Sequence, residues 1–202
     1  MSRSFTLAFD YLCPWARNAN EHVATALRDG ADFDVRFVPY SLRQGHVTGD
    51  EPDIWERSDP LKASGILALQ VGITVRDTAP EAFVDAHTAL FGLRHDQGGD
   101  LRDRGQLAAT LDEIGLNGAA IVDAATRPAV TEQLAREHQH VASDLHVWGV
   151  PTFIGASRAV FVRILDRPEG DAARARQRVA QILDLVDNVP ELHEFKQTEL
   201  AH

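Results

Sequence analysis

Apolar and polar residues alternate over two short stretches near the start of the chain, and each alternation predicts a β-strand. The first covers residues 4–9 and the second residues 33–37. Between them, apolar residues recur at helical spacing behind Pro14 and stop at Gly30. A helix of this length between two strands favours a parallel pair, so a β-α-β unit is predicted here.

The middle of the chain, residues 52–145, shows helical periodicity and no strand pattern. Apolar positions recur at helical intervals in four stretches: 61–71, 80–93, 103–114 and 127–145. No internal repeat or Gly/Ser linker divides this region from the rest of the chain. It is therefore predicted to be a helical insertion that packs as a lid over the sheet edge.

Strand-forming residues return at 151–154 and 159–162, with Gly155 and Ala156 between them, and predict a hairpin. A last helix is predicted over residues 170–186. The order β-α-β, helical block, β-β-α is that of an α/β, thioredoxin-like fold. We expect one domain, 1–202, whose thioredoxin core covers about 1–50 and 146–190 and whose helical insertion covers about 51–145.

Charge and length narrow the classes of partner. The chain has 202 residues, of which 44% are hydrophobic, and it carries 20 Lys and Arg against 30 Asp and Glu, a net charge of −10. A protein without a basic excess cannot release counterions from a phosphate backbone, so no nucleic-acid partner is expected. The first residues contain no long apolar stretch. We expect a soluble cytoplasmic protein with no membrane contact, no metal and no bound cofactor.

The lone cysteine, Cys13, follows the first strand directly and is followed by Pro14 and Trp15. Proline at the first helical turn places Cys13 at the helix N-cap, where the amides of Trp15 and Ala16 face the sulfur. These amides and the helix dipole favour the thiolate. Cys13 is therefore predicted to be a nucleophile with a pKa below the free value of about 8.5.

The motif Cys13-Pro14-Trp15 after a strand, together with Trp148-Gly-Val150-Pro151-Thr152 far downstream, resembles the DsbA family of thioredoxin-like oxidoreductases. Within it, the chain is similar to mycothiol-dependent nitroreductases and to kappa-class glutathione transferases. The resemblance implies a cis bond before Pro151, packed beside the Cys13 sulfur. It also implies that Val150, Pro151 and Thr152 bind an extended thiol or peptide substrate.

Three weaker matches support the resemblance: residues 40–42, residues 94–98 and residues 190–196 of the tail. They imply that His95 and Gln97 line the site, where an imidazole could stabilise the thiolate or protonate a leaving group. His46 falls where relatives carry a polar site residue. An ordinary solvated loop remains the alternative for each of these three side chains.

Two departures from the family pattern change the expected chemistry. Ala16 replaces the usual second cysteine, so no internal thiol can resolve a mixed disulfide at Cys13. A low-molecular-weight thiol, mycothiol or glutathione, is therefore expected as co-substrate. Phe161-Val162-Arg163 replaces a Gly-Pro that follows the aromatic residue in the nitroreductase-like relatives.

The leading hypothesis is a monothiol oxidoreductase that acts on a small electrophile or disulfide. One alternative is a thiol transferase of the kappa class, or an enzyme similar to 2-hydroxychromene-2-carboxylate isomerase. A second alternative is a non-catalytic protein that binds thiols or senses redox state. A homodimer is compatible with each.

Overall fold

The computed structural model describes residues 2–192, and four strands within them form one sheet of order β2-β1-β3-β4. The strands are β1 Arg3–Phe9, β2 Phe33–Pro39, β3 Thr152–Ile154 and β4 Ala159–Phe161. Strand β2 is parallel to β1, as expected for a β-α-β unit. Strand β3 is antiparallel to β1 and pairs with β4 as the predicted hairpin.

Eight α-helices complete the described part of the chain, six of them between β2 and β3. They are α1 Pro14–Arg28, α2 Leu42–Gly45, α3 Ile66–Thr78, α4 Phe83–His95, α5 Arg104–Asp112, α6 Gly118–Ala125, α7 Pro128–Gln139 and α8 Ala172–Asn188. Helix α7 continues into a π-helical turn, His140–Asp144. The α/β, thioredoxin-like element order predicted from the sequence is therefore present.

Two details of the helical block differ from the prediction. Helix α3 begins at Ile66 and not near residue 61, because a short 3₁₀ turn occupies Pro60–Lys62 and Gly65 adopts a left-handed φ of 87° just before the helix. Helix α6 was not predicted. It is short, and it packs so closely on α5 that a Cβ on Gly118 would lie 2.0 Å from the Ala108 carbonyl oxygen.

The first strand and the first helix are packed in the interior of the protein. In the central strand β1, Leu7 and Ala8 are fully buried. Helix α1 packs against α4 and α8.

The tail match proposed for residues 190–196 lies outside the described residues from 193 onward. Within residues 2–192, none of the helices combines the length and the apolar character needed to cross a membrane.

Candidate active site

Cys13 is the N-cap of α1, with Pro14 at the first helical position. The amide of Ala16 donates a hydrogen bond to the Cys13 sulfur over 3.4 Å. The thiol itself donates to the Val150 carbonyl oxygen over 3.3 Å. Only 6% of Cys13 is exposed, because the Val150 loop covers it. The helix N-terminus and the distant loop thus meet at the sulfur.

The loop before β3 contains a cis peptide bond between Val150 and Pro151. Thr152, predicted as a substrate-binding residue, is buried and its hydroxyl donates to the Gly149 carbonyl over 2.7 Å. The Val162 amide donates to the Pro151 carbonyl over 3.1 Å and joins the loop to the end of β4. Thr152 therefore holds the shape of the loop, while the Val150 backbone faces the thiol.

The sequence predicts a lowered pKa for the Cys13 thiol, and this prediction is wrong. Burial raises this pKa above its ordinary value, and the amides of Ala16 and Trp15 lower it by less. The charge of Asp10 also raises it, whereas Arg163 lowers it. The position at the helix N-terminus predicts a thiolate only if the sulfur is open to solvent, and here only 6% of Cys13 is exposed. Burial and the contact with the Val150 carbonyl therefore favour the thiol over the thiolate.

Asp10 supports the turn that leads from β1 to Cys13. Its carboxylate accepts hydrogen bonds from the Leu12 amide at 2.9 Å and the Leu42 amide at 2.7 Å. Asp10 is 1% exposed, and this burial raises its pKa to about 6, although the two amides lower it. Asp10 therefore ties the Cys13 turn to the start of α2.

A buried chain of hydrogen bonds lies behind Cys13. The Tyr11 hydroxyl lies 2.9 Å from His87 Nδ1, and His87 Nε2 lies 2.8 Å from Asn20 Oδ1. Burial lowers the pKa of His87 to about 3, so its ring is neutral. Since Asn20 Oδ1 can only accept, Nε2 carries the proton and Nδ1 accepts from Tyr11. Asn20 then donates to the Ala16 carbonyl over 2.7 Å.

The three polar residues carried over from the resemblance lie in different settings. His95 is half-buried on α4, and its Nε2 lies 2.9 Å from the Tyr11 carbonyl oxygen; burial lowers its pKa. Gln97 is exposed just beyond α4. His46 is exposed and contacts the Leu42 carbonyl at the end of α2. Across residues 2–192, no hydrogen bond, ion pair or ring contact joins any of the three to Cys13.

The histidines of α7 and its extension have partners within the protein. The Ser41 amide donates to His138 Nδ1 over 3.0 Å, and burial lowers the pKa of His138 to about 4. His140 pairs with Asp144 at 2.8 Å. Among the described residues, His, Cys, Asp and Glu form no group of three or more that could hold a metal ion.

Sequence reasoning noted Arg163 only as part of a departure from the family pattern and missed its place in the site. Thr152 pairs with Phe161 in the hairpin, and extending this register by two residues places Arg163 opposite Val150. Counting outward from Pro151 through the predicted hairpin would have found it. Asp10 was missed as well, although a carboxylate directly after a buried strand is a usable signal.

Comparison with known proteins agrees with this geometry. The family model described as a DSBA-like thioredoxin domain matches residues 6–167. The uncharacterized protein Rv2286c of Mycobacterium tuberculosis is 28% identical over 168 residues, which cover 82% of this chain and 70% of that protein.

Two solved structures share the fold at low identity. The cytosolic disulfide reductase DsbM from Pseudomonas aeruginosa, solved with GSH, superposes with a TM-score of 0.62 at 17% identity, covering 90% of this chain and 100% of that one. A 2-hydroxychromene-2-carboxylate isomerase superposes with a TM-score of 0.63 at 16% identity, covering 90% of this chain and 96% of that one. With the thiol at the helix N-terminus and the family model spanning both halves of the site, the chain belongs to the DsbA-like thioredoxin domain family.

Proposed function

We propose that this protein is a cytoplasmic thiol-disulfide oxidoreductase with Cys13 as its one reacting group and a small thiol, mycothiol or glutathione, as its co-substrate. The observation that carries the proposal is the position of the Cys13 sulfur, between the Ala16 amide at 3.4 Å and the Val150 carbonyl at 3.3 Å. An extended substrate that lies along the Val150 backbone would bring its own sulfur to this point. The disulfide reductase with a similar fold supports the same chemistry.

The reaction begins when the Cys13 thiol gives its proton to solvent. The thiolate attacks one sulfur of a substrate disulfide; a bond forms between the two sulfurs, the substrate S–S bond breaks, and the second substrate sulfur leaves with the electron pair. The amides of Ala16 and Trp15 and the charge of Arg163 favour the attacking anion. Each of these groups offsets part of the effect of burial.

The second half of the reaction needs an outside thiol because Ala16 stands where an internal resolving cysteine would be. A small thiolate attacks the mixed disulfide on Cys13, releases Cys13 as a thiolate, and forms a new disulfide with the substrate fragment. These two steps exchange one small thiol into the disulfide, and a second small thiol that attacks the new disulfide completes reduction of the substrate to two thiols. No group beyond the substrate and the small thiol is required.

A second candidate function is that of an isomerase-like or transferase-like enzyme, in which Cys13 positions a bound thiol and stays unmodified. The observation that favours it is the absence of a second cysteine, together with a fold shared over 96% of an isomerase chain. A protein that only binds a thiol and stores the adduct is the third reading.

Mass spectrometry of the intact protein separates these readings. After exposure to glutathione disulfide or mycothiol disulfide, the oxidoreductase should carry one adduct on Cys13, and excess reduced thiol should clear it through repeated cycles. Cys13→Ala should form no adduct and show no turnover. An adduct that persists identifies a storage protein, and an unmodified Cys13 during conversion of a thiol-dependent substrate identifies the isomerase-like reading.

A further inference from the structure

The surface near Cys13 carries two aromatic rings in contact with each other. Trp148 is 73% exposed, and its ring lies 4.6 Å from that of Phe161 at an angle of 39°. The pair joins the loop that ends in Val150 and Pro151 to the strand β4. This largely exposed ring, in contact with Phe161, presents a flat apolar face two residues from the carbonyl that contacts the thiol.

A cation without a partner lies next to these rings. The Arg163 guanidinium lies 6.0 Å from the centre of the Phe161 ring. Arg163 is exposed and, among the described residues, forms no ion pair. In a chain of net charge −10, a free arginine at the site favours anions.

The backbone that carries Arg163 is fixed to the helix that carries the thiol. Asn18 of α1 donates to the Ile164 carbonyl over 3.0 Å, and Ile164 is buried. The hairpin register places Arg163 opposite Val150. The positive charge of Arg163 also lowers the pKa of Cys13, although burial raises this pKa by more.

From this arrangement we propose that Trp148, Phe161 and Arg163 form a subsite for the substrate, and that the preferred substrate is a small electrophile or disulfide with a flat aromatic group and a negative charge. The inference rests on the proposed function, since it names the substrate class for the same thiol. The aromatic group stacks on Trp148, the anionic group faces Arg163, and the electrophilic atom then lies over Cys13. Only 6% of Cys13 is exposed, which favours a small molecule over a protein surface as the group that reaches the sulfur.

Three disulfides of different character test the subsite: dithiobis(nitrobenzoate), which is aromatic and anionic; dithiodipyridine, which is aromatic and neutral; and hydroxyethyl disulfide, which is aliphatic and neutral. Each reaction forms one S–S bond to Cys13, breaks the probe's S–S bond and releases the other half as a thiolate. Every rate is divided by the iodoacetamide rate of the same variant, because that small neutral reagent reports the general reactivity and accessibility of the Cys13 thiolate without an aromatic or charged group.

Trp148→Ala should slow both aromatic disulfides about fivefold through lost stacking and leave hydroxyethyl disulfide unchanged. Arg163→Gln should slow the anionic aromatic disulfide about threefold relative to the neutral one, and Arg163→Lys should retain part of the preference. Arg158→Gln, which removes the same charge from the turn of the same hairpin, and Leu165→Ala, which removes an exposed apolar side chain, should leave all ratios unchanged.

Binding without reaction provides an independent measurement. In Cys13→Ser, titration with nitrobenzoate should shift the NMR signal of the Trp148 indole, and Arg163→Gln in that background should weaken the binding. If no disulfide reacts with Cys13 but nitrobenzoate still binds at Trp148, the proposed function fails and the subsite stands. If all three normalised rates are unchanged by Trp148→Ala and Arg163→Gln, and nitrobenzoate does not bind, the subsite is overturned while thiol-disulfide turnover remains possible.

Discussion

Cys13 lies between two regions of opposite character. The buried side, made of Asp10, Tyr11, Asn20 and His87, pairs its polar groups by hydrogen bonds with other parts of the protein. The open side, made of Trp148, Phe161 and Arg163, presents a ring that is 73% exposed and a cation without an ion pair among the described residues. The buried side should therefore govern stability, and the open side should govern which molecule reaches the thiol.

The contrast follows from what water can do on each side. A polar group left unpaired in the interior has no solvent to replace its lost partner. Removing a buried hydrogen-bonding side chain therefore lowers the free energy of unfolding strongly. A side chain removed from the surface is replaced by water at little change in free energy. Substitutions on the buried side should consequently change the free energy of unfolding, whereas substitutions on the open side should change the rates at which substrates react with Cys13.

The largest expected effect is that of His87→Ala on the buried side. The change leaves the Tyr11 hydroxyl and the Asn20 amide oxygen without partners and opens a cavity, so the free energy of unfolding should fall by about 4 kcal/mol. Urea denaturation followed by circular dichroism measures it. His140→Ala, at an exposed histidine, is the matched control and should change stability by less than about 0.5 kcal/mol. A His87→Ala protein as stable as that control would contradict the structural role of the buried side.

The next effect concerns the pH dependence that Asp10 confers. Its pKa is about 6 in the folded protein against an ordinary value of 3.8, so the folded state holds this proton more tightly. The stabilisation is complete below the unfolded pKa and is lost as the pH rises through the folded pKa, a change of about 3 kcal/mol. Asp10→Asn should lack this loss.

Unfolding free energies measured from about pH 4 to pH 7 provide the test. An ordinary carboxyl group has a pKa near or below the lower end of this range, so its charge changes little across the range. The stability of the natural chain relative to Asp10→Asn should fall across the window. Asp34→Asn, at an exposed carboxylate, serves as the control for the removal of one negative charge. A flat difference for Asp10→Asn would mean that the buried carboxyl group titrates normally.

The features that were predictable from the sequence depend on local chemistry. A strand followed by Cys13-Pro14 predicts a helix N-cap, and the alternation at 151–154 and 159–162 predicts the hairpin that brings Pro151 back. The wrong pKa of Cys13 and the missed role of Asp10 depend instead on which distant segments cover them. Burial by a loop 137 residues away has no signature near Cys13 itself. The short α6 has too few turns for a clear periodicity.

The third prediction concerns the second cysteine that the chain lacks at position 16. Ala16→Cys places a second cysteine on the first turn of α1, beside the amide that already contacts the Cys13 sulfur. The variant should reduce insulin with a general dithiol reductant about tenfold faster than the natural protein, because its own thiol resolves the mixed disulfide. Cys13→Ala should be inactive.

Ala26→Cys is the matched control for Ala16→Cys. Ala26 is also a fully buried alanine of α1, but it lies more than three turns from Cys13, where its thiol cannot reach the sulfur. Both variants add one buried sulfur, so only the position differs. Equal insulin reduction by the two variants would show that proximity to Cys13 is not the cause of any gain.

Removal of the Trp148 side chain, on the open side, should change the stability of the protein only slightly. Trp148 is a large aromatic residue, and its removal from a protein interior would cost about 3–5 kcal/mol. Here, with 73% of the residue already in solvent, Trp148→Ala should change the free energy of unfolding by less than about 0.5 kcal/mol with an unchanged urea m-value. Phe153→Ala, five residues along the chain and fully buried, should show the interior cost. If Trp148→Ala destabilises the protein as Phe153→Ala does, the Trp148–Phe161 stack holds the loop in place, and its effect on disulfide rates must be attributed to lost structure and not to substrate recognition.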